Sequence, residues 1–172
     1  MAKVVNVHQR TLEATPNEIG ALIDSLSSKE DALWPTLSWP PIKFDRPLGE
    51  GAAGGHGPIR YFVEQYTPGE SVRFRFTAPE GFDGYHECQT VNQGNGATVL
   101  RHSLQMTTRG FARLSWAIVY RPLHDALIED ALTTAEASLG LPPRLEPWSP
   151  WVRFTRWALT GGKAGPQRIS RL

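Results

Sequence analysis

The stretch from Gly110 to Gly140 constrains the fold most strongly. Within it Leu123, Leu127, Ile128, Ala131, Leu132, Ala135 and Leu139 recur at the spacings of one helical stripe, while Glu129, Asp130, Thr133 and Glu136 fall mostly on the other side. Gly140 and the following Leu141-Pro142-Pro143 end the helix, because glycine suits the left-handed position after a helix and proline cannot continue one. The pattern predicts one long helix bent at Pro122, or a helix begun at Pro122 with Ala112 to Tyr120 as a strand. A long helix with one apolar stripe needs a broad surface to lie on.

The chain before it supplies a sheet. From Pro58 the pattern has period two, and three hairpins can be laid out: Tyr61–Tyr66 with Ser71–Thr77, Ser71–Thr77 with Phe82–Val91, and Phe82–Val91 with Ala97–Thr107. Their turns are Thr67-Pro68-Gly69-Glu70, Ala78-Pro79-Glu80-Gly81 and Asn92 to Gly96, all of turn composition. Centring each hairpin on its turn puts Glu64 opposite Arg73, Arg73 opposite Glu87, and Glu87 opposite Arg101, a row of alternating charge suited to an exposed face. The inward rows are then Val63, Phe74, His86, His102; Tyr61, Phe76, Gly84, Leu104; and Gln65, Val72, Cys88, Leu100. A one-residue slip would reverse the faces, so one register that satisfies all three hairpins is informative.

Upstream, Lys3 to Ala14 reads as a first strand, with Val4, Val5 and Val7. Thr15-Pro16-Asn17-Glu18 is a helix start with a capping box, followed by an apolar stripe of Ile19, Leu22, Ile23 and Leu26. A second short helix is expected from Ser28 to Trp34, a rigid loop from Trp34 to Pro41, and a short strand from Ile42 to Asp45. Gly49 to Gly57 reads as a flexible loop; it lacks the phosphate-binding G-x-x-x-x-G-K-[ST] pattern. A net charge of +1 gives no general attraction to nucleic acid. The single cysteine, Cys88, excludes an internal disulfide and fits a reducing cytoplasm. The N-terminus has no apolar run of the signal-peptide kind, and no stretch is long and apolar enough to span a membrane.

The order is strand, two short helices, antiparallel strands, long helix. The opening strand followed by ATPNEIGALIDSL, the glycine-punctuated meander and the closing RPLHDALIEDALTTAEASLG together resemble the helix-grip fold of the START-like superfamily, which includes Bet v 1-type allergens, lipid-transfer domains and polyketide cyclase-like proteins. The resemblance covers residues 1–140 and leaves 141–172 as an extension. It implies an α+β fold in which a curved antiparallel sheet of six to seven strands wraps around a long C-terminal helix, with a hydrophobic cavity between them. Six strands are visible; the seventh is either in Gly49 to Gly57 or in Ala112 to Tyr120.

His86 and His102, opposed on the inward face, are the candidate catalytic residues. They are also consistent with histidines that simply line a cavity. The expected ligand-binding wall adds Tyr61, Val63, Phe74, Phe76, Cys88, Leu100 and Leu104 from the sheet, Trp34 and Trp39 from the loop, and Leu123 and Leu127 from the helix. No metal site and no cofactor are expected, since no carboxylate is clearly inward. His124, Asp125 and Glu129 read as the solvated edge of the helical stripe.

In the extension, Ser149-Pro150 is a helix start and Gly161-Gly162 a stop, giving a short helix over 150–160 and then a flexible tail. Its Trp and Arg residues suit packing on the domain, a homodimer contact, or peripheral contact with an anionic membrane through 148–160. The functional expectation is a binding protein for a hydrophobic small molecule, lipid or polyketide-like. The alternatives are a cyclase or aromatase-type enzyme using the histidines as acid and base, and a membrane-peripheral or assembly protein acting through the tail.

Overall fold

The computed structural model describes residues 1–92 and 97–168. A seven-stranded antiparallel sheet has the strand order β1-β7-β6-β5-β4-β3-β2. The strands are β1 (Ala2–Leu12), β2 (Lys43–Phe44), β3 (Ala53–His56), β4 (Ile59–Thr67), β5 (Ser71–Ala78), β6 (Phe82–Asn92) and β7 (Thr98–Thr108). The helices are α1 (Pro16–Asp24), α2 (Ala112–Ser115), α3 (Arg121–Ser138) and α4 (Pro150–Leu159).

The expected capping box opens α1: Thr15 Oγ1 accepts from the Glu18 N–H while Glu18 Oε2 accepts from the Thr15 N–H at 2.8 Å. The second helix expected over Ser28–Trp34 does not form. Ser27 has a left-handed φ of 65°, and the Asp31 carboxylate accepts from the backbone N–H groups of Ser27, Leu33 and Trp34, competing with helical hydrogen bonds. The seventh strand is β3, inside the stretch that glycine content marks as a loop. Those glycines permit close strand contact: a Cβ at Gly54 would stand 1.9 Å from the Lys43 carbonyl oxygen, and one at Gly55 2.0 Å from that of Ile59.

The charge ladder is corrected in two places. Val63 pairs with Phe74 as expected, but a bulge then makes Gln65 the partner of Arg73, and Glu64 instead accepts from Arg75 Nε at 2.8 Å. Arg73 does face Glu87. Between β6 and β7 the pairing is offset by two residues, so Glu87 faces Ser103, His86 faces Leu104 and Cys88 faces His102. An even offset keeps every side chain on its face, so the apolar pattern cannot select against it. Apart from Asn92, the turn expected over Asn92 to Gly96 lies outside the described residues.

Ala112 to Ser138 is helical throughout, with a π-helical segment over Trp116–Tyr120 immediately before Pro122. Proline cannot donate to the carbonyl four residues back, that of Ile118, which instead accepts from Trp151 Nε1 of α4 at 2.7 Å. At the far end Gly140 (φ 70°) and Leu141 return hydrogen bonds to Ala137 and Glu136, a Schellman stop.

The apolar stripe of α3 lies over the sheet, with Leu127, Ile128, Leu132 and Ala135 buried. Its other side is buried as well, at Asp130, Thr133 and Glu136. Their neighbours are the inward residues of the edge strand β1 and the chain beyond α3. On β1 the valines Val5 and Val7 point outward, 70% and 50% exposed, while His8 is half-buried and Arg10 buried.

A ligand cavity and a run of histidines

Between the sheet and α3 lies a cavity of about 280 Å³. Phe74, Phe76, Cys88, Leu100 and Leu104 line it from the sheet, Leu123 and Leu127 from α3, and Trp34 and Trp39 from the loop after α1. Tyr61 and Val63 are instead buried in the core at 1% exposure, outside the cavity wall. His86 and His102 are in the wall. So are His56, His124, Trp116 and Arg156, which the sequence reading did not place there. The exposed residues Pro40, Gly57, Pro58, Leu159 and Thr160 also border it.

His86 and His102 are diagonal on neighbouring strands, not opposed, yet His86 Nδ1 and His102 Nε2 are 3.3 Å apart. The residue directly opposite His102 on its other side is His8 of β1. Through these pairings all five histidines of the chain fall into one run of ring contacts. The centroid separations are 5.7 Å for His56–Tyr61, 4.9 Å for Tyr61–His86, 5.5 Å for His86–His102, 5.0 Å for His102–His124 and 6.0 Å for His124–His8. His56 Nδ1 also lies 3.0 Å from the Tyr61 hydroxyl.

Burial disfavours the charged imidazole, pushing His56 down to about 3 and holding His86, His102 and His124 below the ordinary histidine value. These rings are therefore neutral at physiological pH. His86 Nε2, His102 Nδ1 and both nitrogens of His124 are buried without hydrogen-bond partners. Each such atom costs about 1–3 kcal/mol until something meets it.

At the sheet edge the opposite situation holds. His8 Nδ1 is 2.7 Å from Glu129 Oε1 and its Nε2 is 3.2 Å from Asp125 Oδ1. Burial works against its charge, but the two carboxylates outweigh it and raise His8 to about 9. Glu129 also receives Arg10 Nη2 at 2.7 Å, and Asn6 Nδ2 donates to Asp125 at 2.8 Å. His124, Asp125 and Glu129 are thus not a solvated helix edge. The signal was present in the spacing: His124 lies three and four residues before Leu127 and Ile128, on the apolar stripe. Asp125 and Glu129 are four apart on the stripe that faces the alternating Asn6, His8 and Arg10.

The extension closes the other side of α3. Asp130 accepts from Trp39 Nε1 at 2.7 Å, Trp148 Nε1 at 2.8 Å and Gln167 Nε2 at 2.6 Å. Arg156 of α4 stacks 4.5 Å from the Trp39 ring centroid and 3.8 Å from that of Trp148, and donates to the Ser38 carbonyl. α4 begins where expected, with Ser149 Oγ accepting from the Val152 N–H. The tail expected to be flexible packs back as far as Arg168, whose N–H donates to Ser38 Oγ at 2.7 Å; residues 169–172 lie outside the described chain.

No family model matches the chain, and no curated protein matches it in sequence. Solved structures do match in fold. CalU16 from Micromonospora echinospora is 16% identical with a TM-score of 0.55, over 92% of this chain and 87% of that one. Norcoclaurine synthase from Thalictrum flavum, solved in complex with dopamine and hydroxybenzaldehyde, is 14% identical with a TM-score of 0.59, over 83% of this chain and 90% of that one. Ara h 8.0201 is 12% identical with a TM-score of 0.54, over 81% of this chain and 97% of that one. The curved seven-stranded sheet, the long helix across it and these matches together give the chain the helix-grip fold of Bet v 1-like proteins.

Proposed function

We propose that the cavity binds a hydrophobic small molecule carrying a hydroxyl-type polar group. The observation that carries this is an apolar wall interrupted by imidazoles whose outer nitrogens have no partner. Two neutral imidazoles sharing one hydrogen bond always present one donor and one acceptor at their remaining nitrogens, here His86 Nε2 and His102 Nδ1. A phenol, enol or alcohol can donate to the acceptor of that pair or accept from its donor, so a hydroxyl suits either nitrogen. Apolar burial supplies the affinity and the imidazoles the orientation. The norcoclaurine synthase complex supports the reading, since a protein of this fold is found there with two phenolic molecules.

The test is calorimetric titration with aromatic and polyketide-like phenols beside their deoxy analogues. The expected result is saturable binding, weakened at least tenfold for the deoxy compound and in His86→Phe. Equal affinity for both members of each pair would overturn the role of the imidazoles; no binding across the panel, with no small molecule in the native mass spectrum, would overturn the ligand. Turnover lost in His86→Gln while binding survives would shift the reading to an acid–base enzyme.

A second reading rests on a different surface. Trp151, Phe154, Trp157 and Leu159 of α4 are 45%, 55%, 54% and 64% exposed, and Phe111, Leu114 and Ile118 add 77%, 54% and 44%. The Trp151–Ile118 hydrogen bond joins the two groups. The two segments that carry them are basic, with no acid between Arg109 and Arg121 and none after Glu146; Arg109 pairs with Asp83 and Arg121 with Asp125, which leaves the basic charge to Arg113, Arg153 and Lys163. We infer that this face meets an anionic bilayer and brings the cavity border at Leu159 and Thr160 to it. Sedimentation with phosphatidylcholine vesicles, with and without phosphatidylglycerol, should show binding only to the anionic ones, reversed by salt and lost in Trp151→Ser/Phe154→Ser/Trp157→Ser. No binding, with a dimer in sedimentation equilibrium that the same variant dissociates, would assign the face to a second copy of the chain.

A further inference from the structure

His8 on β1 and the consecutive His124 and Asp125 on α3 converge at the sheet edge, one ligating atom from each lying within 4.8 Å of the others. The Asp125 Oδ1 atom is 3.2 Å from His8 Nε2 and 3.6 Å from His124 Nδ1. Nitrogen and oxygen ligands sit at about 2.0–2.2 Å from a tetrahedral zinc ion, which by geometry sets them roughly 3.3–3.6 Å apart. These two separations bracket that range, and the third, between the His8 and His124 nitrogens, is at most 4.8 Å and would close on binding.

Two further features match a metal site. His8 turns its other nitrogen, Nδ1, to Glu129, which Arg10 in turn holds; a ligating histidine is commonly fixed by a carboxylate in this way. In addition, both ring nitrogens of His124 and the side-chain oxygen of Asn6, whose amide is bonded to Asp125, are buried without partners. A protonated His8 between Asp125 and Glu129 satisfies those three residues and leaves His124 unmet. An ion would satisfy His124 as well.

We propose that His8 Nε2, His124 and Asp125 Oδ1 bind a divalent first-row transition ion of the Zn²⁺ type, with Glu129 and Arg10 as the outer support. Two imidazoles and one carboxylate suit such ions and leave a coordination position for water or a ligand group. His124 also lines the cavity, and its ring is 5.0 Å from that of His102, so the ion would stand at the cavity wall. No metal is expected from the sequence because no carboxylate is clearly inward there, Glu64 and Glu87 belonging to the outer row and Asp125 and Glu129 to what reads as a solvated helix edge. The site is independent of the hydroxyl reading above, since neither His86 nor His102 is a ligand.

The test uses the full chain, freed of metal with a chelator and titrated with Zn²⁺ alone. The expected result is one ion per chain, with affinity reduced at least tenfold in His124→Gln and in Asp125→Asn, and about tenfold in Glu129→Gln. Affinity should be unchanged in Cys88→Ser and His86→Gln. Histidine ring resonances of the unaltered protein supply a readout that no variant's folding can confound: Zn²⁺ should shift those of His8 and His124 first. Absence of stoichiometric binding, or binding that survives His124→Gln and Asp125→Asn, would overturn the proposal.

Discussion

Arg10 Nη1 lies 2.9 Å from Glu136 Oε2, and the two residues, on the edge strand and the long helix, are 8% and 2% exposed. Arg10 is shared with Glu129 and Glu136 with Arg144, so the group ties β1, α3 and the start of the extension together. Breaking one member of a buried ion pair leaves a charge without compensation, which costs about 3–5 kcal/mol, whereas removing both is far milder. Glu136→Leu leaves Arg10 with Glu129 as its remaining carboxylate and should lower the urea unfolding midpoint by less than that equivalent, and Arg10→Met/Glu136→Leu should recover part of the loss. Equal losses in the single and double variants would show that the pair itself, not the stranded charge, supplies the stability.

Histidine burial sets an acid limit. His56 is pushed down from 6.5 to about 3, and His86 lies well below 6.5, chiefly through burial. A group that binds protons in the unfolded chain but not in the folded one makes stability rise with pH. Their contribution is whole above about pH 6.5 and is lost as pH falls from there toward 3. His56 alone should remove roughly 1.5 kcal/mol between pH 6.5 and 5, and His86 and His102, both well below 6.5, steepen the slope in the same direction. His86→Phe removes one of these groups and should flatten the slope in thermal melts at matched ionic strength, leaving the part that belongs to His56 and His102; an unaltered slope would place the titration elsewhere.

These two groups of residues also mark how far the sequence could be read. The element order apart from the helix expected over Ser28–Trp34, the α1 capping box, the faces of β4 to β7 apart from the β4 bulge that turns Gln65 outward, and the stop at Gly140 rest on local chemistry or on period-two alternation, and the fold follows from them. The β6–β7 offset was not legible, because an even slip satisfies the same alternation and only the turn could decide it. β3 was hidden because the glycines that let its backbone approach Lys43 and Ile59 also look like a loop. The inward Asn6, His8 and Arg10 were missed because β1 is an edge strand whose Val5 and Val7 face water, an inversion that makes sense only once the polar stripe of α3 is above it. His86 and His102 came together despite the wrong register, since diagonal neighbours on one face still touch.

Asp130 should govern the attachment of the extension. It accepts from two indoles and the Gln167 amide, and Arg156 lies against the same two tryptophan rings. Asp130→Leu leaves three donors unmet, and at about 1–3 kcal/mol for each that stays buried, release of Trp148 and Gln167 to water becomes competitive. The expected result is faster proteolysis within 141–149 and loss of the Arg156–Trp148 contact in indole spectra. Unchanged cleavage would show that Val152 and the Trp151–Ile118 bond hold α4 without Asp130.

Cys88 offers a direct reading of the cavity. It faces His102 across β6 and β7, lines the cavity, and burial pushes its thiol up to about 12. Only the thiolate is nucleophilic, so at pH 8 roughly one chain in ten thousand presents the reactive form, against about a quarter for an ordinary cysteine with a pKa near 8.5. Alkylation by iodoacetamide should accordingly run at least a hundredfold slower in the native protein than in urea. A molecule bound in the cavity covers the sulfur and should slow the native rate further, in proportion to occupancy. That protection should follow the ligand's calorimetric binding curve and weaken with it in His86→Phe. A ligand that binds but leaves the Cys88 rate unchanged lies outside the cavity, and the exposed face of α4 would then be the place to look for it.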